Sequence, residues 1–327
     1  MMNKQNQITD TFEMHWNELK SQRFFGLMSD SEFVAILREE SAWYKPYASA
    51  ISSALNDVKP RTGTPELNVL DAGCGLGLGI CSIILTCPDV FSRFRKINYW
   101  GVDLIDLSLT ERMLRRAFNL ILPESTANIS LSRADFTSLS HDHESLDLVL
   151  ALGSLHHTPS VGRSLTALVS MASTHCVFIG WIINKQKPLR AITDNYFRVY
   201  FGDLSGHDTI LKLRDLAELF AKIGRVIGDS AVDVEREIEA LDLKPGQYRV
   251  QELLYDYVWK CFYQKPGDDQ EIETATAQLQ DWFMPKYYHQ TSRGDLHNIL
   301  VSDLGLKNFT ITETTNGLLF GFNGASR

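Results

Sequence analysis

A short apolar strand that ends in closely spaced glycines is the feature that most constrains how this chain can fold. Segment 69–79 reads VLDAGCGLGLG. Glycines at a strand end let the backbone turn sharply and let a ligand approach it closely. Leu78 and Ile80 stand where a dinucleotide-binding motif requires its last glycine, and no Lys-Ser/Thr pair follows. The sequence therefore predicts a ligand-binding turn that is neither the dinucleotide fingerprint nor a phosphate-binding P-loop.

Strands and helices alternate around this turn as far as residue 183. We predict strands at 67–72, 97–103, 128–134, 146–152 and 176–183, and helices at 78–94 (broken near Pro88), 107–122 and 161–172. Strands separated by such helices form a parallel sheet with helices on both faces. A helix at 292–304 and a hairpin at 309–323, with the Asn-Gly pair typical of a tight type I′ turn, are expected to complete the sheet.

Two other parts of the chain lack the alternation. Residues 10–58 read as helical, as do most of 185–281, where 233–241 is predicted to be a charged amphipathic helix. The loop KPRTGTP at 59–65 has the composition of a boundary. We therefore expect three parts: an N-terminal helical cap at 1–60, an α/β domain formed by 61–184 and 286–327, and a mostly helical insertion at 185–285 that acts as a substrate lid.

Carboxylates follow or end the first three predicted strands, as Asp71, Asp103 and Asp135. Because ligands bind at the carboxyl ends of such strands, all three are candidates for one site. Asp71 would repel a pyrophosphate but attract an ammonium. This favours S-adenosylmethionine (SAM), which carries an ammonium and a sulfonium and no phosphate. Asp103 is placed to accept from both ribose hydroxyls and Asp135 from an adenine amino group, while Phe136 offers a ring face and a backbone N–H.

The set DAGCGLG, GVD, ADF and LDLVLALGSLHH resembles the class I SAM-dependent methyltransferases over about 67–183. The resemblance implies an α/β fold with a seven-stranded Rossmann-like sheet whose last strand is antiparallel. Asp71 and the first glycines would line the methionine moiety, and Leu152 would face the sulfonium. The implied cofactor-binding set is Asp71, Gly73, Gly75, Asp103, Leu104, Asp135, Phe136 and Leu152. A looser similarity of 185–288 to bacterial methyltransferases for small metabolites or glycans fixes no substrate.

Three histidines are candidates for a general base. His156 and His157 follow the fourth strand, where a methyl acceptor should lie, and His289 stands in PKYYHQT before the sheet resumes. Imidazole is the usual base near neutral pH, although packing roles for these side chains remain open. Two adjacent histidines cannot chelate one ion comfortably, and no H-x-x-x-H is present, so no metal is expected.

The function predicted from these features is SAM-dependent methylation of a small-molecule acceptor by SN2 transfer. The alternative is a SAM-binding scaffold or regulatory partner without transferase activity. An NAD(P)-dependent dehydrogenase is disfavoured because the glycine spacing is wrong and no Tyr-x-x-x-Lys occurs. The general base is dispensable if the acceptor is already a good nucleophile, because positioning and desolvation then suffice.

Net charge, hydropathy and cysteine content restrict the possible partners and cellular compartment of the protein. A net charge of -8 disfavours nucleic-acid binding, which requires a surplus of Lys and Arg. No apolar run approaches the ~20 residues of a membrane span. The odd count of five cysteines, without a C-x-x-C, is typical of free thiols in a reducing compartment. We expect a soluble cytoplasmic protein, with no membrane or nucleic-acid partner, that could form a homodimer.

Overall fold

The structure is a computed structural model. It describes residues 29–41, 65–139, 146–172, 175–185, 187–202, 206–241, 243–257, 287–313 and 317–323, with isolated positions between 51 and 58, at 204 and between 272 and 285. The helices predicted within 10–28, the loop at 59–64 and the turn at Asn316 lie outside the described residues. The chain divides into two compact units, one containing Phe24–Lys185 and Tyr287–Arg327 and the other containing Gln186–Lys286.

The elements follow in chain order. The first part contains α1 (Asp30–Glu40), β1 (Glu66–Ala72), α2 (Leu78–Thr86), α3 (Pro88–Phe91), β2 (Lys96–Asp103), α4 (Ser108–Ile121), β3 (Thr126–Arg133), β4 (Leu148–Leu152), α5 (Val161–Met171) and β5 (Val177–Ile183). The middle part contains α6 (Pro188–Gly202), α7 (Gly206–Ile227), β6 (Ala231–Val234), β7 (Gly246–Arg249) and α8 (Val250–Tyr257). The last part contains α9 (Arg293–Asn298), which continues as a π-helical turn, β8 (Thr310–Glu313) and β9 (Gly317–Asn323).

The first unit is built on one seven-stranded sheet with the order β3-β2-β1-β4-β5-β9-β8. Strands β1 to β5 pair in parallel, whereas β9 is antiparallel to both β5 and β8. This confirms the predicted α/β fold with a Rossmann-like sheet and an antiparallel last strand. The reversal of strand order on either side of β1 and β4 creates the crevice where such sheets bind ligands.

Strand composition explains the position of each strand. β4 (LVLAL) and β5 (VFIGWII) are almost wholly buried, as expected for central parallel strands covered on both faces. β3 (TANISLSR) alternates exposed and half-buried residues and lies at the edge. The predicted break near Pro88 is also confirmed, because α2 ends at Thr86 and Pro88 begins α3, where its missing N–H costs nothing.

Aromatic rings pack over the central strands. The ring of Phe178 stacks on Phe322 with centroids 4.8 Å apart and on Phe320 at 5.8 Å. Gly180 lies beneath Phe320, and a Cβ there would stand 2.6 Å from Cε1 of that ring. The absence of a side chain at Gly180 therefore allows β9 to close against β5.

The prediction of a charged helix at 233–241 is wrong. Residues Ala231–Val234 form β6, which pairs antiparallel with β7 in a separate two-stranded sheet, and only Glu239–Leu241 makes a short 3-10 turn. Charged residues in and around this hairpin form the ion pairs Lys244–Glu237 and Arg249–Asp229. Alternation of Val232 and Val234 with polar residues favours a strand, because β-branched side chains fit a pleated surface better than a helix.

Two further observations concern the described residues only. Cys74, Cys81, Cys87 and Cys176 are free thiols and are buried.

None of the described helices has both the length and the apolar character that crossing a bilayer would demand.

The packing at Gly180 gives a stability prediction. Gly180→Ala should lower the free energy of unfolding by about 1–3 kcal/mol, because the added methyl overpacks the core against Phe320. Gly294→Ala is the control, since a Cβ at Gly294 meets only Ser292 Oγ at 3.8 Å. Urea unfolding of both variants checks the prediction. Equal stabilities of the two variants would contradict the assigned packing.

Candidate active site

The turn after β1 contains three glycines with left-handed backbone conformation: φ is 75° at Gly73, 51° at Gly75 and 77° at Gly77. A Cβ at Gly73 would overlap Ser154, and one at Gly77 would lie 2.6 Å from Leu114, so both are required for packing as well as for φ. A Cβ at Gly75 would meet nothing within 4 Å. The backbone at Gly75 therefore faces open space, where a ligand can approach it closely.

The carboxylate of Asp103 at the end of β2 holds this turn. Its Oδ2 accepts from the Gly75 N–H at 2.8 Å, and its Oδ1 accepts from the N–H groups of Leu104 at 2.7 Å and Ile105 at 3.3 Å. Thr110 Oγ1 donates to the Gly75 carbonyl at 2.8 Å and fixes that residue from the other side. A carboxylate has about four acceptor positions, so one remains on Oδ2 for a ligand.

Asp71 is a buried carboxylate near the end of β1, two residues before the glycine turn. It is 2% exposed, and its Oδ2 accepts from the hydroxyl of Tyr99 at 2.8 Å. Burial raises the pKa of Asp71 from 3.8 to about 7, the Tyr99 hydrogen bond opposes the shift, and the charge of Asp103 adds to it. A cation placed beside Asp71 would favour its charged form and lower this pKa.

Asp135 and Phe136 follow β3. Asp135 is exposed, and its Oδ1 caps a short 3-10 helix by accepting from the N–H of Thr137 at 2.8 Å and from its hydroxyl at 2.7 Å. The ring of Phe136 is 8% exposed and belongs to the core cluster that contains Leu155. This burial favours the backbone N–H of Phe136 over its ring as a contact for adenine, and both stay predictions.

The end of β4 is tied to the end of β1. Leu152 is half-buried, Gly153 has a φ of 84°, and Ser154 Oγ donates to the Ala72 carbonyl at 2.6 Å. Leu104, after β2, has a side chain that is 57% exposed. The predicted methionine, ribose and sulfonium residues thus lie on adjacent strand ends of one sheet edge.

The three predicted histidines are brought together. His156 and His157 form a 3-10 turn after β4, with ring centroids 4.1 Å apart. The ring of Tyr288 lies 5.9 Å from His156 and 6.0 Å from His157, and Trp181 is 5.9 Å from His156. His156 is only 2% exposed, which favours a packing role for it. The backbone N–H of His289 donates to the His156 carbonyl at 2.9 Å.

Main-chain carbonyls orient the other two imidazoles. Nδ1 of His157 lies 3.2 Å from the Tyr287 carbonyl oxygen, and Nε2 of His289 lies 2.8 Å from the Thr158 carbonyl oxygen. A carbonyl oxygen only accepts, so the nitrogen facing it carries the proton. In the neutral ring the opposite nitrogen is then the basic one: Nε2 in His157 and Nδ1 in His289.

Tyr99, Trp181 and Tyr288 also belong to this site, and no individual role was predicted for them. A hydroxyl within the apolar strand INYWGVD was the available signal for Tyr99. Trp181 and Tyr288 were signalled only by general aromatic density. In the described part of the chain, no three His, Cys, Asp or Glu side chains are arranged to hold a metal ion.

No protein-family model and no curated protein matches the chain. The chain is similar to several solved structures. The citrinin polyketide synthase CMeT domain is 11% identical, with a TM-score of 0.41, covering 80% of this chain and 47% of that one. The DhpI–SAH complex is 12% identical, with a TM-score of 0.36 and coverages of 94% and 96%. Human N-acetylserotonin methyltransferase with SAM is 10% identical, with a TM-score of 0.37 and coverages of 97% and 66%.

The chain spans about half the length of the polyketide synthase domain it matches. Likeness at these levels assigns no activity, cofactor or substrate. The seven strands and the antiparallel last strand β9, however, are those that the sequence resemblance implied. The chain therefore has an α/β fold with a seven-stranded Rossmann-like sheet.

The burial of Asp71 gives a pH prediction. Since its folded-state pKa of about 7 exceeds its ordinary value of 3.8, Asp71 contributes stability at low pH that is lost as pH rises through 7. Between pH 5 and pH 8, the free energy of unfolding of Asp71→Asn should therefore rise by about 3 kcal/mol relative to that of the wild type. Urea unfolding of both proteins at each pH measures the difference.

Tyr99→Phe provides the companion variant. Loss of its hydrogen bond should raise the pKa of Asp71 and move the wild-type pH dependence to higher pH. Parallel pH profiles for the wild type and Asp71→Asn would show that Asp71 does not carry this dependence.

Proposed function

We propose that this protein is a SAM-dependent methyltransferase that acts on a small-molecule acceptor, of the secondary-metabolite or glycan type. The observation that carries the proposal is the peptide of Gly75. It faces open space, its N–H donates to Asp103, and the buried acid Asp71 lies on β1 just before the turn. This combination suits a ligand with a cationic group and a ribose, and it provides no cation for a phosphate.

The residues present fit the cofactor. Asp71 would face the ammonium group, the Gly75 backbone would lie against the methionine moiety, and Oδ2 of Asp103 would accept from one ribose hydroxyl. The remaining oxygen of Asp135 would accept from the adenine amino group, beside the backbone N–H of Phe136. When bound, SAM supplies a methyl group on a sulfonium, with a neutral leaving group for SN2 transfer.

Asp103 is proposed to bind the ribose through one hydrogen bond rather than two. Three of its roughly four acceptor positions are already occupied by main-chain N–H groups. Its removal would therefore disturb the glycine turn as well as the ribose contact. A conservative amide at this position is the better probe, because it keeps one acceptor oxygen.

His157 and His289 are the proposed bases, through Nε2 and Nδ1 respectively. His156 is proposed to position His157, since its buried ring packs against that imidazole. Trp181 is half-buried and lies beside His156 and Gly153. An aromatic side chain there suits the wall of a small-molecule pocket, because such pockets are mostly apolar with few polar groups. The role of 185–285 as a substrate lid stays a prediction.

The cofactor proposal is tested by calorimetry with S-adenosylhomocysteine (SAH). Asp103→Asn should weaken SAH binding about 10–100-fold, the size of losing one hydrogen bond to a charged acceptor. Asp106→Asn is the matched control, because Asp106 is exposed and accepts only from Ser108. Wild-type binding of NADH in preference to SAH, or equal affinities of both variants, would overturn the assignment.

The base proposal is tested by turnover of methyl-labelled SAM with a small-molecule acceptor panel. His157→Ala or His289→Ala should lower kcat about 10²–10⁴-fold for an acceptor that must lose a proton. His297→Ala is the control, because the His297 ring packs on Phe309, with ring centroids 5.4 Å apart, and is not one of the three candidate histidines. Full activity in both variants would indicate catalysis by positioning alone. SAH binding without turnover of any acceptor would favour the scaffold alternative.

A further inference from the structure

Helix α6 buries its charged side chains and exposes several apolar ones, the reverse of an ordinary surface helix. Its charged residues are Arg190, Asp194 and Arg198, and none of them is exposed. Two of its large apolar side chains, Phe197 and Phe201, pack inward on Phe283, whereas five others point outward. Those exposed are Leu189 (44%), Ile192 (67%), Tyr196 (63%), Val199 (61%) and Tyr200 (42%).

Interactions inside the second unit fix this orientation. Arg190 and Asp194 are 1% and 2% exposed, with Nε and Oδ2 3.5 Å apart. The indole N–H of Trp282 donates to Asp194 Oδ2 at 2.8 Å, and the Arg190 guanidinium lies over the Trp282 ring at 5.0 Å. Arg198 donates to the carbonyls of Trp282 at 2.7 Å and Pro285 at 2.6 Å. Rotating the helix would break a buried ion pair, which is strongly destabilising.

The exposed residues form a regular seam. Leu189, Ile192, Tyr196 and Val199 are spaced by three, four and three residues, as are positions a and d of two heptads. The rings of Tyr196 and Tyr200 stand nearly parallel, with an interplanar angle of 15°. Such a seam is the surface that a helix presents to another helix.

We propose that this face of α6 packs against the same face of a second copy of the chain, in an antiparallel, twofold-symmetric dimer. A symmetric contact places each patch against itself, so a charged patch would repel its own copy. The seam carries no charge, and Lys212 touches it only at Tyr200, on the edge. A net charge of -8 opposes the competing occupant, an anionic membrane surface.

The exposed area is sufficient for a specific contact. With areas of roughly 150–250 Å² for each tyrosine and smaller areas for the three aliphatic side chains, the exposed fractions leave on the order of 500 Å² per copy. This is near the upper limit of the largest patches on monomers, which are often functional. Two copies would bury about 1,000 Å², the lower bound for a specific interface.

Antiparallel pairing makes a register prediction. The twofold axis would pass between Ile192 and Tyr196, so that Ile192 faces Tyr196 of the second copy and Leu189 faces its Val199. The double variant Leu189→Cys/Val199→Cys should therefore form a covalent dimer on mild oxidation, whereas Leu189→Cys alone should not. Dimer formation by Leu189→Cys alone would indicate parallel helices and overturn the proposed symmetry.

Sedimentation equilibrium of the full chain tests the association itself. The wild type should dimerise, and Ile192→Glu/Val199→Glu should weaken dimerisation by at least about 100-fold, because it places four carboxylates in one apolar seam. Val226→Glu is the matched control, since Val226 is 88% exposed on α7 and outside the seam. Circular dichroism verifies that each variant is folded, and Tyr196→Ser serves as a second, uncharged disruption.

Three results would overturn the proposal. A monomeric wild type would exclude the dimer, and an unchanged dimer in the double Glu variant would place the interface elsewhere. A monomer that sediments with phosphatidylcholine–phosphatidylglycerol vesicles, with loss of binding in the double Glu variant, would assign this face to a lipid surface. Because none of these measurements involves SAM, the outcome is independent of the proposed activity.

Discussion

The carboxylate of Asp103 is the interaction on which the candidate site depends. Its three bonds to main-chain N–H groups connect the end of β2 to the glycine turn after β1 and to the start of the next loop. Each such bond is charge-assisted and hence stronger than a neutral one. Such bonds matter here because glycine loses more conformational freedom on folding than any other residue. The acid that is proposed to bind the ribose thus also holds the backbone against which the ligand would lie.

Asp71 has a different relation to the same turn. Its hydroxyl partner Tyr99 belongs to β2, where it stands opposite Val69, two residues before Asp71 on the same face of β1. The bond therefore exists only because these two strands pair in this register. One hydroxyl does not compensate for complete burial, and the pKa of Asp71 stays near 7. The site thus contains an acid whose ionisation a bound cation would favour.

Local sequence patterns predicted the elements whose formation depends on residues that are close together in the sequence. The apolar runs of β4 and β5 can be stable only as central strands, and the glycine turn needs residues without side chains. Features that depend on partners distant in sequence were not predictable in this way. The core position of Phe136 and the hairpin at β6 are two examples. In the second unit, Arg190 and Asp194 are spaced like an exposed i,i+4 pair, and nothing local to them signals that Trp282 covers them.

Two of the buried acids, Asp71 and Asp194, differ in how the fold compensates their charge. Asp194 has a guanidinium and an indole N–H beside it, so its charge is compensated within the protein and requires no ligand. The groups that act on Asp71 are a phenol and a second acid, and of these only the phenol stabilises its charge. Because ionising Asp71 costs the folded state free energy, a ligand with an ammonium group would recover part of that cost on binding. The same burial that destabilises the protein at neutral pH is thus what would make the turn selective for a cationic ligand.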